Sequence, residues 1–428
     1  MVQCGPRLIP VAFRVRSFRF QWPADLLTSW AAEMEVLVLG WYVIVETGSV
    51  LMLTVFGSLQ FVGTLAAPVF GVLGDRLGGR VMLCAMRATY AGLAALVALL
   101  TFIGLLTPLW VIVVAALAGL VRPNDLVMRN ALIGQTIPPA HLVGALGMSR
   151  ATQDTARVAG ALAGAGLSTA FGIGQTYLVV AAFYAASLAL TFGVARPPTL
   201  DPTTPSRTSL PGLAGWRDLK DGMARVWEVP ELLAMILLAF LINLTAYPAS
   251  NGLLPYAAQR VYHVDATGLG WLVVSFAIGG LAASITMVAT GGPRRPERAT
   301  LVATAVWYLL LLAFGQAPTV AHGFVTLLLA GFAQNVVMIA MTATLLAAAG
   351  GGFRGRVMGV RTLAVYGMPL GLMASGFLIE RIGYAPTITL SATLGLACTL
   401  LIALKWRARM WLARPGPAEP TSSAPQRV

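Results

Sequence analysis

Apolar stretches of about 20 residues follow one another along almost the whole chain, and a stretch of that length with few charges is what a helix needs to cross a bilayer. Of the 428 residues, 57% are hydrophobic and only 11% are charged. A soluble protein would carry about 25% charged residues. A mean hydropathy of +0.79 points the same way. The sequence therefore describes a polytopic, all-α membrane protein, for which the lipid bilayer is a partner by default.

Twelve windows qualify as spans: 25–46, 50–71, 81–105, 109–130, 146–170 and 175–194, then 232–250, 266–290, 299–315, 321–347, 357–379 and 386–406. The opening "MVQCGPRLIPVAFRVRSFRF" has neither the apolar core nor the small-residue cleavage site of a signal peptide, so the first span is expected to act as the insertion signal. Cys4, Cys84 and Cys398 lie far apart, without metal or redox spacing.

A formal charge of +13 could point to nucleic acid, but its distribution matters more than its sum. With the N-terminus inside, Arg7, Arg14, Arg16, Arg19, Arg76, Arg80, Arg129, Arg150, the arginines of the central loop, Arg294, Arg295, Arg298, Arg354, Arg356 and the C-terminal cluster all fall on one side. Only Arg260 and Arg381 fall on the other. Lys and Arg collect in cytoplasmic loops, so both termini are expected in the cytoplasm, with the chain in a cell membrane (a bacterial inner membrane) and no nucleic-acid partner.

This count gives a cytoplasmic tail at 1–24, a six-helix bundle at 25–194, a cytoplasmic central loop at 195–231, a second bundle at 232–406 and a disordered tail at 407–428. The central loop begins with the Pro-, Ser- and Thr-rich "ARPPTLDPTTPSRTSLPG". It continues as "LAGWRDLKDGMARVW", where Leu213, Trp216, Leu219, Met223 and Trp227 share one helical face. An amphipathic helix on the inner membrane surface is expected there, the alternative being a short helix packed on cytoplasmic loops.

The halves read as copies. "SRATQDTARVAGALAGAGLSTAFG" (149–172) lies over "VRTLAVYGMPLGLMASGFLIERIG" (360–383) without a gap, matching Arg150 to Arg361, Gly160 to Gly371 and Gly172 to Gly383. Almost the same offset pairs "LAGL" (117–120) with "LAGF" (329–332). Two parallel six-helix repeats about an axis along the membrane normal are one transporter architecture.

Between the second and third windows stands "GVLGDRLGGRVML" (71–83). It resembles the loop signature of the major facilitator superfamily: Gly71, Leu73, Asp75, Arg76, Gly78, Arg80 and Leu83 match, while Gly79 stands where a basic residue is usual. The resemblance covers residues 15–406. Three further stretches, "GWYVIVETGS", "RPNDLVMRNALIGQTIPPAHLVGALG" and "FRGRVMGVRTLAVYGMPLG", are similar to the branch of enterobactin exporters and macrolide efflux proteins. In the fifth span, where antiporter-like members carry a Gly-Pro signature, Ala161 replaces the proline.

The resemblance implies that Asp75 engages the start of the eleventh helix, near Arg354 and Arg356, and bridges the halves when the inside is closed. Gly71, Asp75, Arg76, Gly78, Arg80, Arg354 and Arg356 then form a conformational latch. Glycines permit the tight turn, and a helix N-terminus attracts a carboxylate. An ordinary charged turn is the alternative. The second-half counterpart "GGPRRPER" has no matching aspartate, so only one strong latch is expected.

Ionisable groups at membrane depth are costly and are functional candidates. Glu33 and Glu35 lie in the first span, roughly 12 to 15 Å from its inner end at 1.5 Å per residue. Two positions apart on a helix, they face nearly opposite ways, and the spacing does not choose which faces the central path. In the fifth span, Arg150, Asp154 and Arg157 are spaced for pairing. A carboxylate in a partly dry cavity can load and release a proton near neutrality. Glu33, Glu35 and Asp154 are therefore the candidates for proton coupling. Gln60, Arg122, Asp125, Arg157 and Gln334 are the candidates for the substrate cavity. Self-satisfied pairs and helix–helix hydrogen bonds are the structural alternatives for these groups.

No nucleotide-binding loop, H-E-x-x-H motif or nucleophile elbow is present, and His141, His263 and His322 fall in loops or at span ends. An enzyme is therefore not expected, nor a metal or cofactor. The expected function is secondary active transport by alternating access: proton-coupled efflux of a medium-sized amphipathic compound by a monomer, with a small-molecule substrate and protons as partners. A proton-coupled importer, a lysophospholipid-type flippase and a non-transporting receptor or assembly factor on the same fold are the alternatives.

Overall fold

The computed structural model describes residues 13, 15–64, 66, 70, 73, 77–137, 139–195, 211–350 and 353–407. Its helices are α1 Arg16–Thr47, α2 Val50–Leu59, α3 Gly79–Phe102, α4 Pro108–Thr136, α5 Pro139–Thr191, α6 Pro211–Glu228, α7 Pro230–Thr245, α8 Ala266–Thr290, α9 Pro296–Gly315, α10 Val320–Ala349, α11 Arg354–Leu363, α12 Gly367–Ile382 and α13 Tyr384–Lys405. Ten helical segments among the described residues are long and apolar enough to cross a membrane. One of them runs through Gly172 at φ 83° and holds two crossings, and the shorter apolar segment Val50–Thr64 supplies another. Twelve spans result, as the windows predict.

Boundaries differ where polar residues blur the apolar pattern. The first span begins at Arg16 rather than 25. Its first three turns carry Gln21 and Asp25, which interrupt the run but are buried inside the bundle. The seventh span does not end at 250: two π-helical turns, Pro248–Gly252 and Ala257–Val261, carry it onward. A π-turn widens the backbone and presents side chains off the regular face.

The internal repeat is visible in the backbone. Gly172 adopts φ 83°, ψ 174° between the fifth and sixth spans, and its counterpart Gly383 adopts φ 85°, ψ 171° between the eleventh and twelfth. A left-handed break of this kind suits glycine. Gly119 lies against the Leu59 carbonyl, and its counterpart Gly331 lies against the Phe276 carbonyl. Gly160 likewise packs on the first span at Trp30, and Gly371 on the seventh at Leu244. Small residues let backbones approach closely in both copies.

The halves meet along two seams. The second span packs on the eleventh: Ser58 donates to the Pro369 carbonyl at 3.2 Å, and Gly376 sits against Thr54. The fifth packs on the eighth, with Gly270 against Ala165 and Thr169 3.3 Å from Thr267. In each seam the contacts lie toward the ends of the fifth and eleventh spans that lead to Gly172 and Gly383.

The central-loop helix α6 packs on the start of the eleventh span. Gly222 fits against the Arg356 backbone, Asp221 pairs with Arg356 at 3.8 Å, and Leu219 and Met223 pack toward the core. A missing Cβ at position 222 lets α6 dock on the start of the eleventh span. The side chains of Leu213 and Trp216 lie outside the described residues.

Candidate functional site

Glu33, Arg122 and Arg157 stand near the midpoints of the first, fourth and fifth spans and line one cavity of about 600 Å³ between the halves. Glu33 lies about 25 Å from the first residue of its helix at 1.5 Å per residue, deeper than the windows place it. Phe56, Phe61, Leu269, Phe276 and Leu372 give the cavity an apolar wall. The second half contributes Asn243, Tyr247, Asn251 and Thr362, polar but neutral. Among the described residues, every charged side chain lining the cavity thus belongs to the first half.

The two glutamates part as helical geometry requires. Glu33 faces the cavity. Glu35 turns into the first bundle, where it accepts from Arg122 Nη2 at 2.9 Å and from the Tyr184 hydroxyl at 2.8 Å. Arg122 spans the boundary between them: its Nη1 donates to Gln60 Oε1 at 2.8 Å, and its side chain stays 21% exposed. Glu35 is thereby a charge held by its neighbours, whereas Glu33 makes no hydrogen bond or ion pair with any described residue. Arg157 is exposed to the cavity and likewise unpaired among the described residues.

Gln60 lines the cavity beside Arg122; Asp125 and Gln334 do not. Asp125 is buried one turn before Arg129 and pairs with it. Gln334 donates to the cavity-lining Tyr247 hydroxyl at 2.7 Å, so it supports the wall from behind. It stands 212 positions after Arg122, the same offset that relates Gly119 to Gly331. The repeat therefore has a cation in one half and an amide in the other. Asp154 also stands outside the cavity lining, paired with Arg150 at 3.7 Å.

Of the expected latch, Gly71, Asp75 and Arg76 lie outside the described residues. Gly78 adopts φ 85° at the start of α3, and Arg80 donates to the Phe192 carbonyl. Arg354 donates to the Leu346 carbonyl at 3.3 Å, and Arg356 pairs with Asp221. Both arginines of the eleventh helix thus have partners in the second half or the central-loop helix.

A second polar cluster lies inside the first bundle, apart from the cavity lining. Asp25, Arg87, Asp125 and Arg129 are buried together in the first bundle: Asp25 pairs with Arg87 and Arg129, and Arg129 with Asp125. Arg129 Nη1 also donates to Ser29 Oγ at 2.8 Å, and Arg87 to Thr191 Oγ1. Counting Arg129 as a loop charge is thereby corrected. A charge inside an apolar run, as Arg87 is in the third span, is the signal that locates such a cluster. Among the described residues, no three His, Cys, Asp or Glu side chains stand together as a metal would need.

Comparison with known proteins places this geometry. The sequence profile of the Major Facilitator Superfamily matches residues 24–291. No curated protein gives a significant sequence match. Among solved structures, the fold is similar to a POT family transporter in complex with 5-aminolevulinic acid (TM-score 0.71, 12% identity, 96% of this chain and 99% of that one). It is also similar to the nucleoside transporter NupG (0.64, 15%, 92% and 100%). A third likeness is to a bacterial homolog of the human lysosomal transporter Spinster, inward-facing and unoccupied (0.65, 13%, 91% and 95%).

Proposed function

Since the chain belongs to the major facilitator superfamily, we propose that it is a proton-coupled exporter of medium-sized amphipathic compounds, working by alternating access. The observation that carries this reading is Glu33, a carboxylate with no ion-pair partner among the described residues, facing an apolar cavity at mid-membrane between two six-helix halves. A carboxylate there is costly unless it binds a cation or a proton. If both compete for it, loading one expels the other, which is the simplest basis for antiport.

Seams at one end of the helices and a cavity beyond them suit one state of an alternating-access cycle. Export as the direction rests on the likeness of three sequence stretches to the enterobactin and macrolide efflux branch. Of the three carboxylates considered for coupling, Glu33 is preferred. Glu35 is already paired with Arg122, and Asp154 stands outside the cavity lining beside Arg150.

Everted membrane vesicles with an imposed proton gradient test the proposal. Addition of amphipathic cations should dissipate the gradient with the wild-type chain and fail to do so with Glu33→Gln. Dissipation that survives in Glu33→Gln would remove Glu33 from the coupling step.

A further inference from the structure

An amphipathic cation would use Glu33 and the apolar wall, and it would leave Arg157 without a partner. Arg157 lies in the middle of the fifth span and makes no hydrogen bond or ion pair with any described residue. A guanidinium at membrane depth is as costly as a carboxylate when nothing offsets it. The two free charges are also neighbours. Gly160, one turn beyond Arg157, packs directly on the first span at Trp30 and the Cβ of Glu33. Glu33 and Arg157 thus project from adjoining helices at similar depth, yet they do not form an ion pair.

Arg122 does not take the place of Arg157 as the cavity's anion receptor. Its two terminal nitrogens are committed to Glu35 and Gln60. The positive charge of Arg122 is met chiefly by Glu35 behind it and acts more weakly on Glu33. Among the described residues, Glu33 and Arg157 are thus the cavity's negative and positive groups without a hydrogen bond or ion pair of their own. The facing wall of the second half offers Asn243, Tyr247 and Asn251 among apolar side chains, and no charge.

We propose that the cavity selects amphipathic zwitterions: an apolar body bearing a cation that meets Glu33 and a carboxylate or equivalent acid that meets Arg157. The inference rests on the transport reading and narrows its substrate class. The charged end sits against the first half and the apolar body against the second. Protonation of Glu33 removes the attraction for the cation and leaves Arg157 still drawing the acid, so release begins at the cationic end.

The test uses the full chain in lipid nanodiscs and two dyes with one skeleton: rhodamine B, which carries a cation and a free carboxylate, and its methyl ester, which carries the cation alone. Binding is read by fluorescence polarisation, with empty nanodiscs subtracted. Wild type should hold rhodamine B about tenfold tighter than the ester, the scale of one charge-assisted hydrogen bond. Arg157→Gln should bring rhodamine B to the level of the ester without weakening the ester, and Arg157→Lys should keep most of the difference. Glu33→Gln should weaken both dyes. Equal wild-type affinity for the two dyes would overturn the zwitterion assignment while leaving a cation-binding cavity. Equal losses of both dyes in Arg157→Gln would assign Arg157 a structural role and overturn it too. Absence of binding by either dye would also overturn it, and the transport reading would still stand or fall by its own vesicle assay.

Discussion

Arg122 donates to Glu35 at 2.9 Å from the fourth span to the first, and the pair sits at the boundary between cavity and bundle. Glu35 is 8% exposed and Arg122 21%, so water screens the arginine only partly. Breaking a buried pair by removing one partner costs about 3–5 kcal/mol, because a charge is left uncompensated. Glu35→Ala should therefore lower the melting temperature in detergent markedly. Glu33→Gln, which breaks no pair, should leave it nearly unchanged. A similar loss in both would contradict the division of labour between the two glutamates.

The cluster of Asp25, Arg87, Asp125 and Arg129 calls for a different pattern. Arg87 is wholly buried and paired with Asp25, so Arg87→Met alone leaves a carboxylate short of one cation and should destabilise by about 3–5 kcal/mol. Adding Asp25→Asn removes the orphaned charge and should recover part of that loss. Thermal melts of the two singles and the double measure the coupling. Purely additive losses would show that the network has no shared energy.

The repeat predicts matched sensitivity at two glycines distant in sequence. A Cβ at Gly119 would collide with the Leu59 carbonyl, and one at Gly331 with the Phe276 carbonyl. Backbone cannot move aside as a flexible side chain can, so each alanine substitution should cost about 1–3 kcal/mol or more. Gly134→Ala, with nothing within 4 Å, is the control. Folded yield by size-exclusion chromatography should fall for the first two and hold for the third.

Thr169 and Thr267 join the fifth and eighth spans through hydroxyls 3.3 Å apart, across a seam between the halves. Cysteines at both positions, in a chain without its native cysteines, should form a disulfide under mild oxidation. If the seam opens during the cycle, that bond blocks transport and a reductant restores it. Undiminished transport with the bond formed would mean that the seam stays closed throughout.

Much of the fold was legible because a bilayer imposes a length on apolar runs. The eighth window, 266–290, coincides with its helix, and Gly172 and Gly383 are related by symmetry as their alignment implies. The first and seventh spans extend beyond their apolar windows where hydropathy is silent. Asp25 breaks an apolar run although partners on other helices neutralise it, and π-turns after Pro248 have no periodic signature. Within the site, spacing alone shows that Glu33 and Glu35 face apart. Only the positions of Arg122 and Tyr184, 87 and 149 residues from Glu35, decide which one is buried.

The central claim is that Glu33 carries the proton that substrate displaces. Proteoliposomes containing Glu33→Gln separate that role from substrate binding in general. The account predicts that this variant still exchanges labelled for unlabelled zwitterionic substrate down its own gradient, at reduced affinity, while a proton gradient no longer drives accumulation. Uphill, proton-driven accumulation by Glu33→Gln at the wild-type level would contradict it.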